Sequence, residues 1–217
     1  MVSGVGVLDK SMMVLHAVAA AEQPCTLGAL AATTNLPKAT THRLAQALEV
    51  HGLLRRDPSG RYLLGLRLVD LGRAANDDWP VIDVARPALE SLRSVTGESV
   101  QLYVRDGGDR ICVISLESSH ELRTIVAEGV RLPLGVGSAG RILADDERDG
   151  QQARWVASVE ERAPGVASVS AAVTVDGALV AAVGISGPVA RFGNDPGTRF
   201  GAAVARCATA IEVALRR

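Results

Sequence analysis

The stretch that decides the fold is CTLGALAATTNLPKATTHRLAQALEVHGLLRRDPSGRYLLG, which runs from Cys25 to Gly65. Leu27, Leu30 and Ala31 recur at helical spacing and predict a short helix that needs packing partners. The turn TTNLP ends this helix, because Thr and Asn compete for backbone hydrogen bonds and the residue before a proline is pushed out of the α region. A second helix is predicted to start directly after the turn.

The second helix is predicted to carry an inward stripe and a polar outer surface. Pro37 fits its first turn, where a missing N–H costs nothing, and Gly52 ends it. We expect the inward stripe to consist of Leu44, Ala47, Leu48 and His51. Short hydroxyls and cations mark the opposite surface near the helix start, where a recognition helix meets base edges and phosphates. These residues are Lys38, Thr40, Thr41, His42 and Arg43.

The rest of the stretch predicts a β-hairpin with cations on it. Two short apolar segments, 53–56 and 61–64, flank the turn DPSG, whose chemistry strongly favours a reversal of the chain. Arg55, Arg56 and Arg61 suit a wing that lies along a phosphate backbone. A helical hairpin followed by a β-hairpin with merely solvated cations is the alternative. The order of helix, turn, helix and basic hairpin favours a winged helix-turn-helix.

Length and charge favour two domains of different kinds. The 217 residues are enough for two domains of ordinary size. Residues 1–75 contain eight Lys or Arg and five Asp or Glu, a balance of +3, so a net charge of −1 leaves −4 for the remainder. A basic first part beside an acidic remainder fits a DNA-binding domain joined to a domain of another kind.

Cysteine usage predicts a reducing compartment. Cys25, Cys112 and Cys207 lie far apart, and no histidine stands at ligand spacing, so we expect no disulfide, no zinc site and no cofactor. His16 is better explained as a packed histidine than as a metal ligand. We find no basic-then-apolar signal pattern and no apolar run of about 18 residues. We therefore expect a cytoplasmic protein that has no membrane partner.

Helical patterns flank the central stretch. VLDKSMMVLHAVAAA, residues 7–21, predicts a helix that completes the core of the helix-turn-helix. LGLRLVDLGRAAN, residues 64–76, predicts a linker helix, of a kind that commonly also makes dimer contacts. We therefore predict a winged helix-turn-helix domain over 1–63, a linker helix over 64–78 and a second domain over 79–217.

The second domain is predicted to be α+β with a mostly antiparallel sheet. Period-two patterns with turn residues predict hairpins at 99–116 and 166–186, and a further strand at 122–127. Amphipathic helices are expected at 81–96 and 197–216, and a shorter helix opens at Arg141.

Few residues of the second domain suggest chemistry. The string GVGSAG, residues 135–140, lies in no βαβ unit, so a dinucleotide site is not expected. Ser138 and Ala139 could instead offer backbone N–H groups to a carboxylate at a helix start, or the segment could be a plain helix cap. Glu160 and Glu161 have no nucleophile partner, so catalysis is not expected.

The motifs resemble those of IclR-type transcription regulators along nearly the whole chain. They are VLDKSMMVLHAV, LGALAATTNLPKATTHRLAQALEVHGLL, GRYLLGLRLVDLG, VGSAGRILA, EERAPGVASVSAAV and GISGPVAR. The resemblance implies a winged helix-turn-helix, a GAF-like effector-binding domain, and assembly into dimers and tetramers. Two segments resemble those of a subgroup that controls leucine and related amino-acid biosynthesis. They are GVGVLDK, residues 4–10, and GESVQLYVRDGGDRICV, residues 97–113.

The resemblance also implies a pocket for a small organic acid or amino acid. Its backbone donors fall on Ser138 and Ala139, and its hydrophobic wall falls on Val166. Ser158 and Ser168 stand where a family member carries an acid and a cysteine. The family's paired serines fall on Gly184 and Ser186, so one hydroxyl is absent. With the acid and one serine missing, we expect a different ligand from that of the family member.

The segment between Ala144 and Trp155 is shorter than the family pattern. A loop and helix of about twenty further residues, comparable to a whole extra connection plus helix, usually separate these motifs. Here only DDERDGQQAR intervenes. Either the pocket has lost a flap, or those residues are left out of the printed sequence.

The expected function is that of a ligand-responsive, non-enzymatic regulator, a repressor or dual regulator of metabolic genes. It would bind double-stranded operator DNA as a homodimer or homotetramer. The competing hypothesis is a small-molecule sensor or enzyme built on the second domain without specific DNA binding. The basic helix-turn-helix argues against a pure sensor. The missing nucleophile-base pair argues against an enzyme.

Overall fold

The computed structural model describes residues 6–77, 80–144 and 154–216, without the side chains of residues 76 and 77. The chain divides into two compact units, Met1–Asp78 and Trp79–Arg217. Residues 145–153, on which the prediction of a lost flap or omitted residues depends, lie outside the described residues. No described helix is both long and apolar enough to cross a membrane.

Unit 1 is a three-helix core with a two-stranded hairpin and a following helix. Val14, Leu30, Leu44, Leu54 and Tyr62 are among the buried residues that join its helices and hairpin in one core. The elements are α1 (Gly6–Ala19), α2 (Leu27–Thr34), α3 (Lys38–Val50), β1 (Leu54–Arg56), β2 (Tyr62–Leu64) and α4 (Arg67–Asp77).

Local polar chemistry sets the ends of α2. The Thr26 hydroxyl accepts a hydrogen bond from Ala29 N at 3.2 Å and so caps the first turn. Asn35 takes a left-handed conformation with φ of 52°, which asparagine tolerates better than most residues. The helix therefore stops one turn before α3 begins, as a helix-turn-helix requires.

The inward stripe of α3 differs from the predicted one. Leu44 and Leu48 are buried as expected, whereas Ala47 and His51 are exposed. Thr41 and Ala45 fill the remaining inward positions, because residues 41, 44, 45 and 48 share one face at helical spacing. The prediction for Ala47 and His51 was wrong.

The hairpin has the predicted strands and turn. Arg55 pairs with Leu63 and Arg56 with Tyr62 in an antiparallel register. Cys25 adds an isolated bridge to Tyr62, so the chain before α2 fastens the hairpin to the helices.

Unit 2 is a six-stranded antiparallel sheet with helices on both faces. The strand order is β5-β4-β3-β8-β7-β6. The elements are α5 (Pro80–Thr96), β3 (Ser99–Asp106), β4 (Asp109–Leu116), β5 (Arg131–Pro133), α6 (Gly137–Ala144), β6 (Val156–Val159), β7 (Val166–Val175), β8 (Ala178–Pro188), α7 (Val189–Phe192) and α8 (Pro196–Leu215).

Both predicted hairpins form, but the predicted strand at 122–127 does not. Thr124 and Val126 are buried while Leu122 and Ile125 are exposed, so the segment alternates like a strand. β5 pairs with residues 109–111 of β4, and residues 122–127 pair with no described strand. Alternation alone therefore gave a wrong strand.

The two faces of the sheet carry separate cores. One face packs against α5 and α8 through residues such as Leu89, Leu102 and Ile211. The other packs against α6 through Tyr103, Cys112 and Ile142, among others. The register of β3 with β4 shifts between residues 102 and 103, opposite the extra residue Val113. This bulge turns Cys112 toward α6, while Ile114 faces the other core.

Candidate functional site

The first candidate surface is the N-terminal part of α3 with the hairpin. Lys38 and Arg43 are exposed, and Thr40 and His42 are half-buried. Pro37 is the N-cap residue and supplies no side-chain hydrogen bond to the helix start. The positive end of α3 and these cations can therefore attract a phosphate backbone.

Thr41 must be removed from the predicted DNA-contacting set. Its side chain is completely buried, and its hydroxyl donates to Pro37 O at 3.2 Å. The residue therefore packs the inner face of α3 and has no exposed atom to offer a base.

The three predicted arginines of the hairpin have different surroundings. Arg55 is exposed and forms no ion pair within the described part of the chain. The Nε of Arg56 donates to Glu49 at 3.1 Å, and its guanidinium lies 4.7 Å from the centre of the Tyr62 ring. The Nε of Arg61 donates to Asp57 at 2.8 Å. Arg55 is thus the most available of the three for a phosphate.

The second candidate site is a pocket between α6 and the sheet of unit 2. The structure brings all seven residues predicted for the effector site to the lining of one cavity of about 20 Å³, which is room for about one water molecule. These residues are Ser138, Ala139, Ser158, Val166, Ser168, Gly184 and Ser186.

Hydroxyl groups form a network on the floor of this pocket. The Ser138 Oγ lies 2.7 Å from Ser168 Oγ and 2.8 Å from Ser170 Oγ. The Ser186 hydroxyl donates to Gln101 Oε1 at 3.0 Å. Ser168 is the register partner of both Ser158 and Ser186, so the polar row crosses three neighbouring strands.

Gly184, where the family carries a serine, has no room for a side chain. A Cβ there would collide with Ser170 Oγ and would lie 2.7 Å from Val169 O. The hydroxyl of Ser170 thus occupies the space that a side chain at residue 184 would take.

The pocket has seven lining residues that sequence reasoning missed. Arg110 is the most informative, because only 2% of it is exposed and it lies on the α6 face with Cys112. Burial lowers the pKa of its guanidinium, and Arg162 at the pocket lowers it further. The same apolar surroundings raise the pKa of the Tyr103 hydroxyl well above its ordinary value. The full set is Gln101, Tyr103, Arg110, Gly137, Arg162, Ser170 and Ile185.

The start of α6 closes one side of the pocket. Gly137 N donates to Glu161 Oε2 at 3.1 Å, and the other oxygen of Glu161 pairs with Arg141 at 3.1 Å. No hydrogen bond from Ser138 N or Ala139 N to a described residue is present. These two N–H groups at the positive end of a helix can donate hydrogen bonds to an anionic oxygen.

A wider groove lies elsewhere, between Trp155 and α8. Its volume is about 810 Å³, and alanines form much of its lining. Gly197 and Gly201 make the space in which the Trp155 ring packs against the helix. The groove contains no buried polar side chain among the described residues, so the smaller pocket is the better candidate for ligand binding.

Two helices joined by a tight turn, a cationic outer surface on the second helix and a short basic hairpin define a winged helix-turn-helix protein that binds DNA. Residues 7–58 match the IclR helix-turn-helix domain family, and residues 74–157 match the family of the C-terminal domain of bacterial IclR transcriptional regulators. The chain therefore belongs to the IclR family of transcriptional regulators, a non-enzymatic family.

Named relatives agree with this family. The chain is 26% identical to the transcriptional repressor AllR of Escherichia coli over 246 residues, covering 98% of this chain and 91% of AllR. It is 37% identical to the transcriptional regulator KipR of Bacillus subtilis over 118 residues, covering 54% of this chain and only 47% of KipR. An IclR homologue from Microbacterium hydrocarbonoxydans, solved with 4-hydroxybenzoate, has the same fold, with a TM-score of 0.79 at 19% identity over 97% of this chain and 99% of that one.

Proposed function

We propose that this chain is a ligand-responsive regulator that binds operator DNA through α3 and the β1–β2 hairpin. The observation that carries the DNA-binding half is the surface of α3, where exposed Lys38 and Arg43 stand beside a helix start without a side-chain cap. Lys38, Thr40, His42 and Arg43 would enter the major groove, and Arg55, Arg56 and Arg61 would contact phosphates.

We further propose that the pocket between α6 and the sheet takes a small organic acid. Seven positions implied by the family resemblance converge on it, and its lining offers hydroxyls, free backbone N–H groups and a buried guanidinium. The ligand of the Microbacterium homologue is itself a carboxylate. The cavity is smaller than any organic acid, so binding must be accompanied by movement of the lining.

The active assembly is proposed to be a homodimer or homotetramer. Apolar side chains remain exposed on two helices of unit 1, where they would favour association. The acid would then act by binding one arrangement of the paired DNA-binding units more tightly than another. These side chains include Val7 and Leu8 on α1 and Val69 and Leu71 on α4, with Leu66 just before α4.

A gel-shift titration with the DNA upstream of the protein's own gene tests the regulator. A specific complex is expected at physiological salt, and Arg43→Ala should weaken it while leaving non-specific binding largely unchanged. A wild-type protein that forms no specific complex at that salt would overturn the proposal. Control by amino-acid availability, as in the leucine subgroup, can be tested in the same way by adding leucine and related acids to the titration.

A further inference from the structure

The pocket between α6 and the sheet holds a charged group without a counter-charge. Arg110 is 98% enclosed, yet its Nε has no hydrogen-bond partner among the described residues. Its Nη1 donates to the carbonyl oxygen of Pro133, and its guanidinium carbon lies 5.4 Å from the centre of the Tyr103 ring. No carboxylate of the described residues pairs with it.

The chain makes room for this guanidinium. A Cβ at Gly140 would collide with Arg110 Nη1, so the last glycine of the GVGSAG string is needed for the arginine to lie beside the first turns of α6. Burying a cation without a partner costs several kcal/mol of stability. A group kept at such a cost in a pocket points to a ligand that pairs with it.

A second buried group in the same pocket also lacks a partner. Gln101 is 1% exposed, its Oε1 accepts a hydrogen bond from the Ser186 hydroxyl, and its Nε2 donates to no atom in the described part of the chain. Gln101 and Arg110 belong to strands that pair with each other, β3 and β4. The pocket therefore presents two unused donors, one charged and one neutral.

The charges of the lining decide which acids fit. Arg110 and Arg162 are its charged residues, and it includes no aspartate or glutamate among the described residues. The nearby carboxylate of Glu161 is already engaged by Gly137 N and Arg141. The ammonium group of an amino acid would thus be buried beside two cations without a counter-charge.

We propose that Arg110 anchors the carboxylate of the ligand and that Gln101 Nε2 donates a hydrogen bond to a second oxygen of the same molecule. The pocket thereby selects acids without an ammonium group. This inference rests on the proposed effector site and narrows its ligand from small acids and amino acids to oxo acids, hydroxy acids and dicarboxylates. Arg110 would form paired N–H···O bonds, which a guanidinium gives and an ammonium does not.

Thermal unfolding of the full chain tests the assignment with acids that differ by one group. The probes are propionate, pyruvate and L-alanine, and then succinate and L-aspartate, with sodium chloride at equal ionic strength as reference. At saturating concentration pyruvate and succinate should raise the Tm of the wild type by about 3 °C or more. Alanine and aspartate should leave it within about 1 °C of the chloride reference.

Three variants make the test specific. Arg110→Met should abolish the stabilisation by every acid, whereas Arg131→Met, an exposed arginine on the neighbouring strand β5, should retain it. Gln101→Leu should make pyruvate no better than propionate. Because Arg110→Met removes a buried unpaired charge, its own Tm without acid should equal or exceed that of the wild type.

The results separate this inference from the proposed function. Three results would each overturn the assignment of Arg110. Alanine and aspartate could raise the Tm as much as pyruvate and succinate do, the acids could still raise the Tm of Arg110→Met, or no probe could raise the Tm of the wild type. A wild type that is stabilised in an Arg110-dependent way but forms no specific complex with its upstream DNA would instead overturn the regulator. Specific DNA binding without a rise in Tm on addition of any acid would support the DNA-binding regulator and overturn the assignment of Arg110.

Discussion

Arg61 closes the turn of the hairpin onto Asp57. The side chain of Arg61 donates to Asp57 Oδ2 at 2.8 Å, while Oδ1 accepts the backbone N–H groups of Ser59 and Arg61, each at 2.9 Å. One carboxylate therefore holds both the backbone of the turn and one of the arginines expected at the phosphates.

This arrangement predicts a titration of the turn in acid. Hydrogen bonds, first of all the one from Arg61 N, lower the pKa of Asp57 below its ordinary 3.8. A lowered folded pKa means that the stabilisation is present above the unfolded value and is lost as the pH falls through the folded value. The NMR shifts of the Ser59 and Arg61 amides should thus titrate with a midpoint below 3.8. Arg61→Ala should move the midpoint only part of the way back toward 3.8, because the backbone donors remain. A full return to 3.8 would show that the side chain of Arg61, and not the backbone N–H groups, lowers the pKa of Asp57.

The arginines of the hairpin should differ in how they affect the salt dependence of DNA binding. Arg55→Ala should weaken binding to all sequences and reduce the slope of log K against log salt by about one, the value for one lost phosphate contact. Arg56→Ala should reduce it less, because Glu49 and the Tyr62 ring already engage Arg56. Fluorescence anisotropy between 50 and 200 mM salt, the range over which such contacts change affinity strongly, measures both slopes. Equal slopes for the wild type and Arg55→Ala would show that Arg55 does not contact a phosphate.

A buried ion pair should contribute more to the free energy of unfolding than the exposed ion pairs of unit 2 do. Glu98 has a side chain that is 4% exposed and pairs with Arg191 through both oxygens, at 2.7 and 2.8 Å. Glu98→Ala should lower the free energy of unfolding by about 3 kcal/mol, since it leaves a partly enclosed guanidinium without its carboxylate. Urea denaturation measures the loss. Arg131→Ala removes two exposed ion pairs of the same sheet, with Asp106 and Asp109, and should leave the midpoint unchanged. Similar losses of unfolding free energy in both variants would contradict this expectation.

Restoring the family's second serine at residue 184 should damage the pocket. Because Val169 O lies 2.7 Å from where a Cβ would be, Gly184→Ser should cost about 1–3 kcal/mol of unfolding free energy, the usual range for overpacking. Gly72→Ala is the matched control, since no heavy atom lies within 4 Å of its Cβ position, and it should be neutral or stabilising. A Gly184→Ser protein with an unchanged urea midpoint would show that the sheet yields at this point.

The cysteines should separate into one reactive and two inert thiols. Burial raises the pKa of the Cys112 thiol to about 12 and that of Cys207 to about 12, whereas Cys25 is half-buried. At pH 8 the two buried thiols stay protonated, and the thiolate is the reactive form. Ellman's reagent should therefore label one thiol in the folded protein and three after unfolding, and Cys25→Ser should remove the fast phase. Rapid native labelling of the Cys25→Ser protein would contradict this expectation.

The parts of the fold that follow from local chemistry could be predicted from the sequence. The turn at residues 33–37, the hairpin of unit 1 and the two hairpins of unit 2 depend on residues that lie next to one another in the chain, and all of them form. The predicted strand at 122–127 was wrong because a strand also needs a neighbour to pair with: β5 pairs with residues 109–111 of β4, and residues 122–127 join no ladder with a described strand. Period-two alternation cannot show which edge is free.

The candidate pocket shows the same limit. Ser138, Ser158, Ser168 and Ser186 could be placed through the resemblance, whereas Arg110 follows the turn residues GGD and was indistinguishable from a surface cation. Alternation with Cys112 could have shown that Arg110 points inward. The bulge at Val113 decides which face of the sheet it joins, and a bulge has no sequence signature here. Thr41 was misplaced for a related reason, because its small side chain is compatible with either side of a helix.

The pairing of β3 with β8 has a consequence for how the protein is made. Ser99 meets Ser186 in this ladder, so the centre of the sheet cannot close until the ribosome has released nearly all of unit 2. Contacts so distant in the chain slow folding, because the intervening loop must be closed before any contact rewards it. Unit 1 depends on near neighbours and can fold during synthesis, well ahead of unit 2. A nascent chain that stalls before residue 178 would therefore present a folded DNA-binding unit joined to a unit 2 that lacks β8, the strand that supplies Gly184, Ile185 and Ser186 to the pocket.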